Sequence, residues 1–503
     1  VGAGPSGLAT ALTLLRNGVP VQIIEKNVEH RRGQRGAAMM PRSLEIYDFL
    51  EVPEMRLQGS PATPIRTYDK GGINPLQTMP MFEHQEVTPG TPYVDCLFLG
   101  QEFIEKNLRN HLAKLSCTIE LGTELQYLQQ FEDYVEVELT RTCDGKVTME
   151  KISALWVIGA DGARGVSVSC EQRLTTRANS VQTSAEVFGL VQILSRSHSA
   201  CRAFYMFYSQ ILLHHQPIRP YSGPPNIRMT KNFRKGRVFL VGGTVHSPTG
   251  GQGLNSAIQD AINLGWKLAL VINGDSKETL LDTFSEERVP VISQMLRLTT
   301  ESLNGTINAD RTRTATSFTR TPKSARPTPS PLNLWHGLML GINYRGSRGV
   351  IDDWPIDKGE LGSDPYGYLS TGSLHAGDRA PDSRGLISYP DHNQHTLFGI
   401  FRSYHHTVLI FIPQESKAES VVCALSGYPK HLVRVVVIHP QPGTGSVEGA
   451  DLQLEDKEGH TLTNYGVSRD DSLRIAVVRP DGVVGDLVKT EESMKHYFDF
   501  VFQ

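Results

Sequence analysis

Glycines at fixed spacings, together with one acidic residue, are the parts of this sequence that could do chemistry. Gly2, Gly4 and Gly7 stand as G-x-G-x-x-G at the mouth of an apolar helix bearing Leu8, Ala11, Leu12 and Leu15. A short strand, Val19 to Ile24, follows and ends in Glu25. Glycines so spaced allow a tight turn, close approach to a pyrophosphate and close helix–strand packing, while the carboxylate can accept from ribose hydroxyls. A second glycine loop lies between Gly236 and Val271. That stretch reads as a buried strand (Val238 to Val241), a loop holding Gly243, His246, Pro248, Gly250, Gly251 and Gly253, and then a helix. Leu254, Ala257, Ile258, Ala261, Leu264 and Leu268 recur in it at helical spacing. Where a glycine loop feeds a helix start, a ligand can approach unpaired N–H groups at the positive end of the helix dipole. Such a site suits a ligand that carries or develops negative charge. Glycines also mark ordinary turns, so either segment alone is compatible with a strand–helix connection that binds nothing.

The elements that must position these loops follow from pattern. Helices are expected over Pro41–Leu50, Gln101–Leu115 (buried side Phe103, Ile104, Leu108 and Leu112) and Phe284–Thr300. Strands are expected at Ile65–Tyr68, Cys117–Leu121, Tyr134–Thr140 and Ala154–Ile158, the last leading into Asp161-Gly162, with DGKV (Asp144 to Val147) as a hairpin turn. From Ala163 to Lys235 the sequence is polar, and only Val187–Leu194 and Phe204–Leu213 read as strands. Residues 309–331 are rich in Thr, Arg and Pro without an apolar period, which predicts a linker or surface excursion. From about Ser373 short β segments take over (His395–Phe401, Thr407–Ile412, Leu432–Val437, Leu473–Val478), with a last helix over Glu491–Phe500.

Composition sets the bounds. The chain has 503 residues, enough for two or three domains. A net charge of -3 without a basic stripe argues against a nucleic-acid partner. Six scattered cysteines, with no CxxC and no metal spacing, fit a reduced cytoplasmic chain and predict no metal. No run of about 18 apolar residues predicts a membrane helix, and no signal peptide is visible. Val1 stands where the first strand of the dinucleotide motif should be ending.

The glycine segments, with ALWVIGADGARG (Ala154 to Gly165) between them, resemble the single-component flavoprotein aromatic hydroxylases of the phenol 2-monooxygenase type. The likeness extends through QRGAAMMPRSLEIYDFL (Gln34 to Leu50), LGQEFIEKNLRNHL, NYRGS (Asn343 to Ser347), AGDRAPDS (Ala376 to Ser383) and VVRPDGVVG (Val477 to Gly485). The resemblance implies that Gly2, Gly4, Gly7 and Glu25 hold the ADP half of FAD. It places Arg35 near the pyrophosphate, Gln101 near the ribityl chain and Asp161 near the middle of the cofactor. Gly250, Gly251, Gly253, Leu254 and Asn255 would lie beside the flavin ring, and Gly243 and Pro248 would also contact the cofactor. The implied fold is α/β: a Rossmann-like FAD-binding domain (1–300) interleaved with a β-sheet substrate domain (about 56–95 and 166–235). A connecting segment (301–372) and a thioredoxin-like domain (373–503) that helps form a homodimer complete it. The implied reaction uses NADPH and O2 to hydroxylate a phenolic or polyketide-derived aromatic through a flavin hydroperoxide, with no membrane partner. Two alternatives share these motifs: a flavoprotein doing non-hydroxylating natural-product chemistry, and a truncated remnant that binds FAD weakly.

The sequence departs from the family in one place that bears on binding. A Gly-Asp pair usually follows the strand, whereas GGTVHSP (Gly242 to Pro248) lacks the aspartate and is short. An acceptor lost from a buried contact costs on the order of 1–3 kcal/mol, and Thr244 is the residue placed to replace part of it. His246 is expected to be structural, Trp266 to pack beneath the flavin domain, and the adjacent His214 and His215 to point apart rather than bind a metal. The base that deprotonates substrate is not assigned; Tyr205, Tyr208 and Tyr221 are the candidates.

Overall fold

A computed structural model of the chain describes residues 1–33, 36–68, 73–80, 86–143, 145–162, 167, 229–230, 232–245, 252–315, 339–356, 364–367, 372–411, 415–440, 446–467 and 473–502. Its first half is built on a parallel sheet. Strand β1 (Ile23–Glu25) pairs in parallel with β2 (Ile119–Leu121), and β3 (Val157–Gly159) pairs in parallel with β4 (Val238–Leu240). Val1 and Gly2 stitch the two pairs together. The Val1 amino group donates to the Ile158 carbonyl at 2.7 Å, Ala160 N donates to Val1 O at 2.7 Å, and Gly2 N donates to Ile24 O at 2.8 Å. The order across the sheet is therefore β2, β1, residues 1–2, β3, β4. This is the doubly wound arrangement, whose ligand crevice opens where the order reverses, between residues 1–2 and β3.

Helix α1 (Pro5–Arg16) leaves that crevice with Leu8, Ala9, Leu12 and Leu14 buried, and Pro5 opens it with the φ a first helical residue needs. Helices α2 (Pro41–Phe49) and α3 (Gln101–Lys114) pack nearby. On α3 the buried stripe is Ile104, Leu108 and Leu112, whereas Phe103, expected among them, is 47% exposed. One residue is about 100° around a helix, which puts Phe103 off the stripe. A three-stranded meander (Thr123–Gln130, Val135–Cys143, Lys146–Ala154) leads into β3, and its second turn is the expected Gly145 hairpin. Helix α4 (Gly253–Asn273) is buried over nearly its whole length and crosses α1 where Gly265 meets Thr13. Helix α5 (Asp282–Ala315) runs further than its apolar period, so the first residues of the expected linker continue a helix.

The C-terminal half forms an eight-stranded sheet centred on β5 (His406–Phe411), β6 (Val433–His439), β7 (Leu452–Asp456), β8 (Arg474–Val478) and β9 (Val484–Val488). β5, β6 and β7 are parallel, β8 runs antiparallel to β5, and β9 runs antiparallel to β8. Helix α6 (Glu415–Leu425) connects β5 to β6, and α7 (Glu491–Val501) closes the chain. The strand expected over His395–Phe401 is confined to Gln394–His395. Leu397, Phe398, Ile400 and Phe401 instead fill a buried turn against Phe49 of α2. A run of apolar residues does not by itself distinguish a strand from a buried turn.

A polar seam joins the halves. Arg479 and Lys267 both pair with Glu287 at 2.7–2.9 Å, and Asn263 donates to Glu287 and Asp481. Arg42 donates to the carbonyls of Asp481 and Gly482, and Arg379 reaches Glu45 on α2. Lys267 and Arg479 thus balance Glu287 and Asp481 in a buried cluster, where removal of one partner is severely destabilising. Three motifs of the C-terminal half meet here: Tyr344 N donates to Gly377 O, Arg345 pairs with Asp378, and Gly482 abuts Phe49.

Candidate cofactor site

Four segments converge at the C-terminal ends of residues 1–2 and the neighbouring strands. The first is the turn Gly2–Gly7. Gly2 has φ +96°, and a Cβ there would lie 2.6 Å from Ala160 O; a Cβ on Gly7 would collide with Gly2 O. Both positions therefore demand glycine for the turn itself. Gly4 differs, because a Cβ there meets nothing within 4 Å. Gly4 faces open space at the N-terminus of α1, whose first turn has no side-chain cap. That is where a phosphate anion finds unpaired N–H groups.

The second is the end of β1. Glu25 accepts from Ala3 N at 3.0 Å and from Asn27 N at 3.1 Å, so its carboxylate is held beside the glycine turn. The third is Asp161–Gly162 after β3. Asp161 accepts from Ser167 N, and Gly162 N donates to Thr244 Oγ1 at 2.9 Å. The fourth is the turn Gly242–Thr244 after β4, with Gly242 at φ +58° wedged between Ser6 of α1 and Ala257 of α4. A Cβ on Gly243 would lie 3.7 Å from Gly162 Cα. Thr244 therefore serves to lock these two turns together. Nothing in the local motif announces that role.

Helix α4 begins beside these turns, with Ala257 in its first turns against Gly242. Gln252 precedes the helix without capping it, which leaves the first-turn N–H groups of Gly253, Leu254 and Asn255 without intrahelical partners. The Asn255 side chain does other work: it accepts from Met40 N and Ser43 Oγ, both at 2.8 Å, and donates to Ala38 O at 3.0 Å. It thereby fixes residues 38–43 against α4. Gln252 is 1% exposed, and among the described residues neither its amide nitrogen nor its oxygen finds a partner; the Ser256 hydroxyl is likewise unpaired. Orphaned buried polar atoms beside an uncapped helix start, with open space before Gly4, fit a phosphate-linked cofactor carrying a polar ring.

The other expected site residues fall out as follows. Gln101 opens α3 and donates to Glu105 one turn on. Arg35, His246, Pro248, Gly250 and Gly251 lie outside the described residues, as do His214, His215, Tyr205, Tyr208 and Tyr221. Trp266 lies far along α4, edge-on to His406 of β5 at 5.3 Å, and so packs against the C-terminal sheet. A cleft of about 720 Å³ lined by Arg16, Asn17, Asn273, Lys430 and Arg434 is at the far end of α1 from the glycine turn. No group of metal-ligating side chains occurs among the described residues, and none of their helices is long and apolar enough to cross a membrane.

Fold and site together define a dinucleotide-binding protein. A family model described as FAD binding domain matches residues 1–222 and 212–299, and the chain belongs to that family. The chain is 28% identical over 459 residues to a flavin-dependent monooxygenase of Mycobacteroides abscessus, covering 82% of this chain and 87% of the relative. It is 30% identical over 342 residues to the rifampicin monooxygenase of Streptomyces venezuelae, covering 59% and 68%. Among solved structures, the flavin-dependent monooxygenase PieE in complex with FAD and substrate superposes with a TM-score of 0.74 at 19% identity, over 99% of this chain and 98% of that one. The protein is an FAD-dependent monooxygenase of the aromatic-hydroxylase class.

Proposed function

We propose that the protein hydroxylates a phenolic or polyketide-derived aromatic, taking electrons from NADPH and one oxygen atom from O2. The observation that carries this reading is the convergence of four turns at the strand-order reversal, with the uncapped helix α4 anchored beside them where Ala257 meets Gly242. FAD, when bound, supplies the two-electron chemistry and the activation of oxygen. The chain's own residues do the rest. Gly2, Gly4, Gly7 and the start of α1 receive the pyrophosphate, Glu25 accepts from the ribose, and Asp161 stands near the middle of the cofactor. Arg35, Gln101, Gly243, Pro248, Gly250 and Gly251 belong to the same site by motif. The N–H groups of Gly253, Leu254 and Asn255 offset negative charge that develops on the ring.

Beyond the site, the thioredoxin-like reading of the C-terminal half is supported by its βαβ unit (β5, α6, β6) followed by a ββα unit (β8, β9, α7), in the order β9, β8, β5, β6. The half would serve packing and homodimer assembly in the cytoplasm. Its cysteine, Cys423, is a lone exposed thiol without a CxxC partner, which leaves no thiol-redox role. The test is a screen of phenols and polycyclic aromatics for stimulated NADPH consumption. Oxygen uptake matched by a product heavier by one oxygen supports hydroxylation. NADPH-independent conversion, or an isomeric product of unchanged mass, selects non-hydroxylating chemistry.

A further inference from the structure

We propose that the buried pair Arg288–Asp260 is a positioning device for the cofactor-facing turns, anchoring the Gly242–Thr244 segment from inside α4. The inference rests on the FAD reading and concerns residues that no motif assigns. Asp260 and Arg288 are both 0% exposed, and Arg288 Nε donates to Asp260 Oδ1 at 2.7 Å. The other oxygen, Oδ2, accepts from Gly242 N at 3.1 Å. Gly242 is confined between Ser6 and Ala257, so its N–H has no room to swing to another acceptor. Two residues on, the Thr244 hydroxyl accepts from Gly162 N and lies 3.4 Å from Asp161 Oδ1.

The chain of contacts therefore runs from Arg288 through Asp260 and Gly242–Thr244 to Asp161–Gly162, and so sets both turns that border the crevice. At its inner end Arg288 also donates to the Tyr344 hydroxyl at 3.0 Å and faces Gln259 Oε1 and Ser256 O at 3.4 Å, tying the same anchor to the NYRGS segment. A charged acceptor holds a backbone N–H more strongly than a neutral one. Burial of that carboxylate is tolerable only because the guanidinium accompanies it.

The test is FAD affinity of the intact protein by flavin fluorescence, with visible circular dichroism of the bound flavin and melting temperature measured in parallel. Asp260→Asn alone strands the Arg288 charge and is expected to unfold the chain, so the informative variants are the charge-balanced D260N/R288M and Thr244→Val. Each is expected to raise the FAD dissociation constant about tenfold and to change the flavin dichroism. Thr244→Ser should restore both. A core control, Ile292→Val, should lower the melting temperature and leave both readouts unchanged. Should the double variant fail to fold, Arg288→Lys, which keeps the buried charge and loses the second contact of the guanidinium, decides in its place, with the same rise in the FAD dissociation constant expected. An FAD affinity within twofold of the unaltered protein, with unchanged dichroism, in the folded variants overturns the proposal while leaving the FAD reading intact. If the unaltered protein binds no FAD, both fall.

Discussion

At the scale of single residues, the glycines of the first turn separate folding from binding. Gly7→Ala places a methyl against Gly2 O and should disrupt the turn, lowering the melting temperature and abolishing FAD binding together. Gly4→Ala meets no protein atom within 4 Å, so the variant should melt as the unaltered protein does. Its methyl nevertheless occupies the approach to the α1 N-terminus, and an FAD dissociation constant raised about tenfold is expected. Equal melting with equal affinity would move the phosphate elsewhere. Asn255 is the opposite case, since its side chain is consumed by Ala38, Met40 and Ser43. Asn255→Leu leaves those groups buried without partners and should cost about 3 kcal/mol in urea unfolding. The glycine spacing announces the first turn to any reader of the sequence. Asn255's role is hidden because its partners lie more than 200 positions away.

At the scale of elements, α4 and the strand before it were legible because a glycine loop and a 3.6-residue apolar period coincide there. The misplacements have local causes. Phe103 adjoins a buried stripe without belonging to it, and the 397–401 run is apolar because it fills a turn beneath Phe49. The junction of α4 with the C-terminal sheet was illegible, since nothing near Trp266 names His406 as its neighbour. His406 is fully buried, edge-on to Trp266, Tyr497, Phe498 and Phe502. Burial, aided by the charge of Arg479, pushes its pKa down to about 3. Burial and the neighbouring Arg434 and Arg402 likewise push His405 down to about 4. Both rings are neutral in the folded state and titrate near 6.5 when unfolded. Their contribution to stability is therefore complete above about pH 6.5 and is lost progressively as pH falls toward 3. The melting temperature should drop over that range, and His406→Phe should shrink the drop. An unchanged pH profile in the variant would remove His406 from the account.

At the scale of the molecule, the two halves are joined through the Lys267–Glu287–Arg479–Asp481 cluster. Glu287→Gln leaves Lys267 and Arg479 short of a counter-charge in a dry seam and should cost about 3–5 kcal/mol, seen as an earlier chemical unfolding transition. A change below about 1 kcal/mol would mean that the seam is solvated. The seam also bears on the crevice, because Arg42 and Glu45 of α2 hang from it while Ser43 and Met40 hold Asn255. The order of the parallel sheet could not be read from a sequence whose first residue already lies within it; the hydrogen bonds of Val1 and Gly2 supply it. The most direct test of the whole account is titration of the purified, flavin-stripped protein with FAD, following quenching of flavin fluorescence. The convergence of the glycine turns predicts saturable binding of one FAD per chain, weakened by Gly4→Ala. Absence of saturable binding, or binding indifferent to Gly4→Ala, would contradict it.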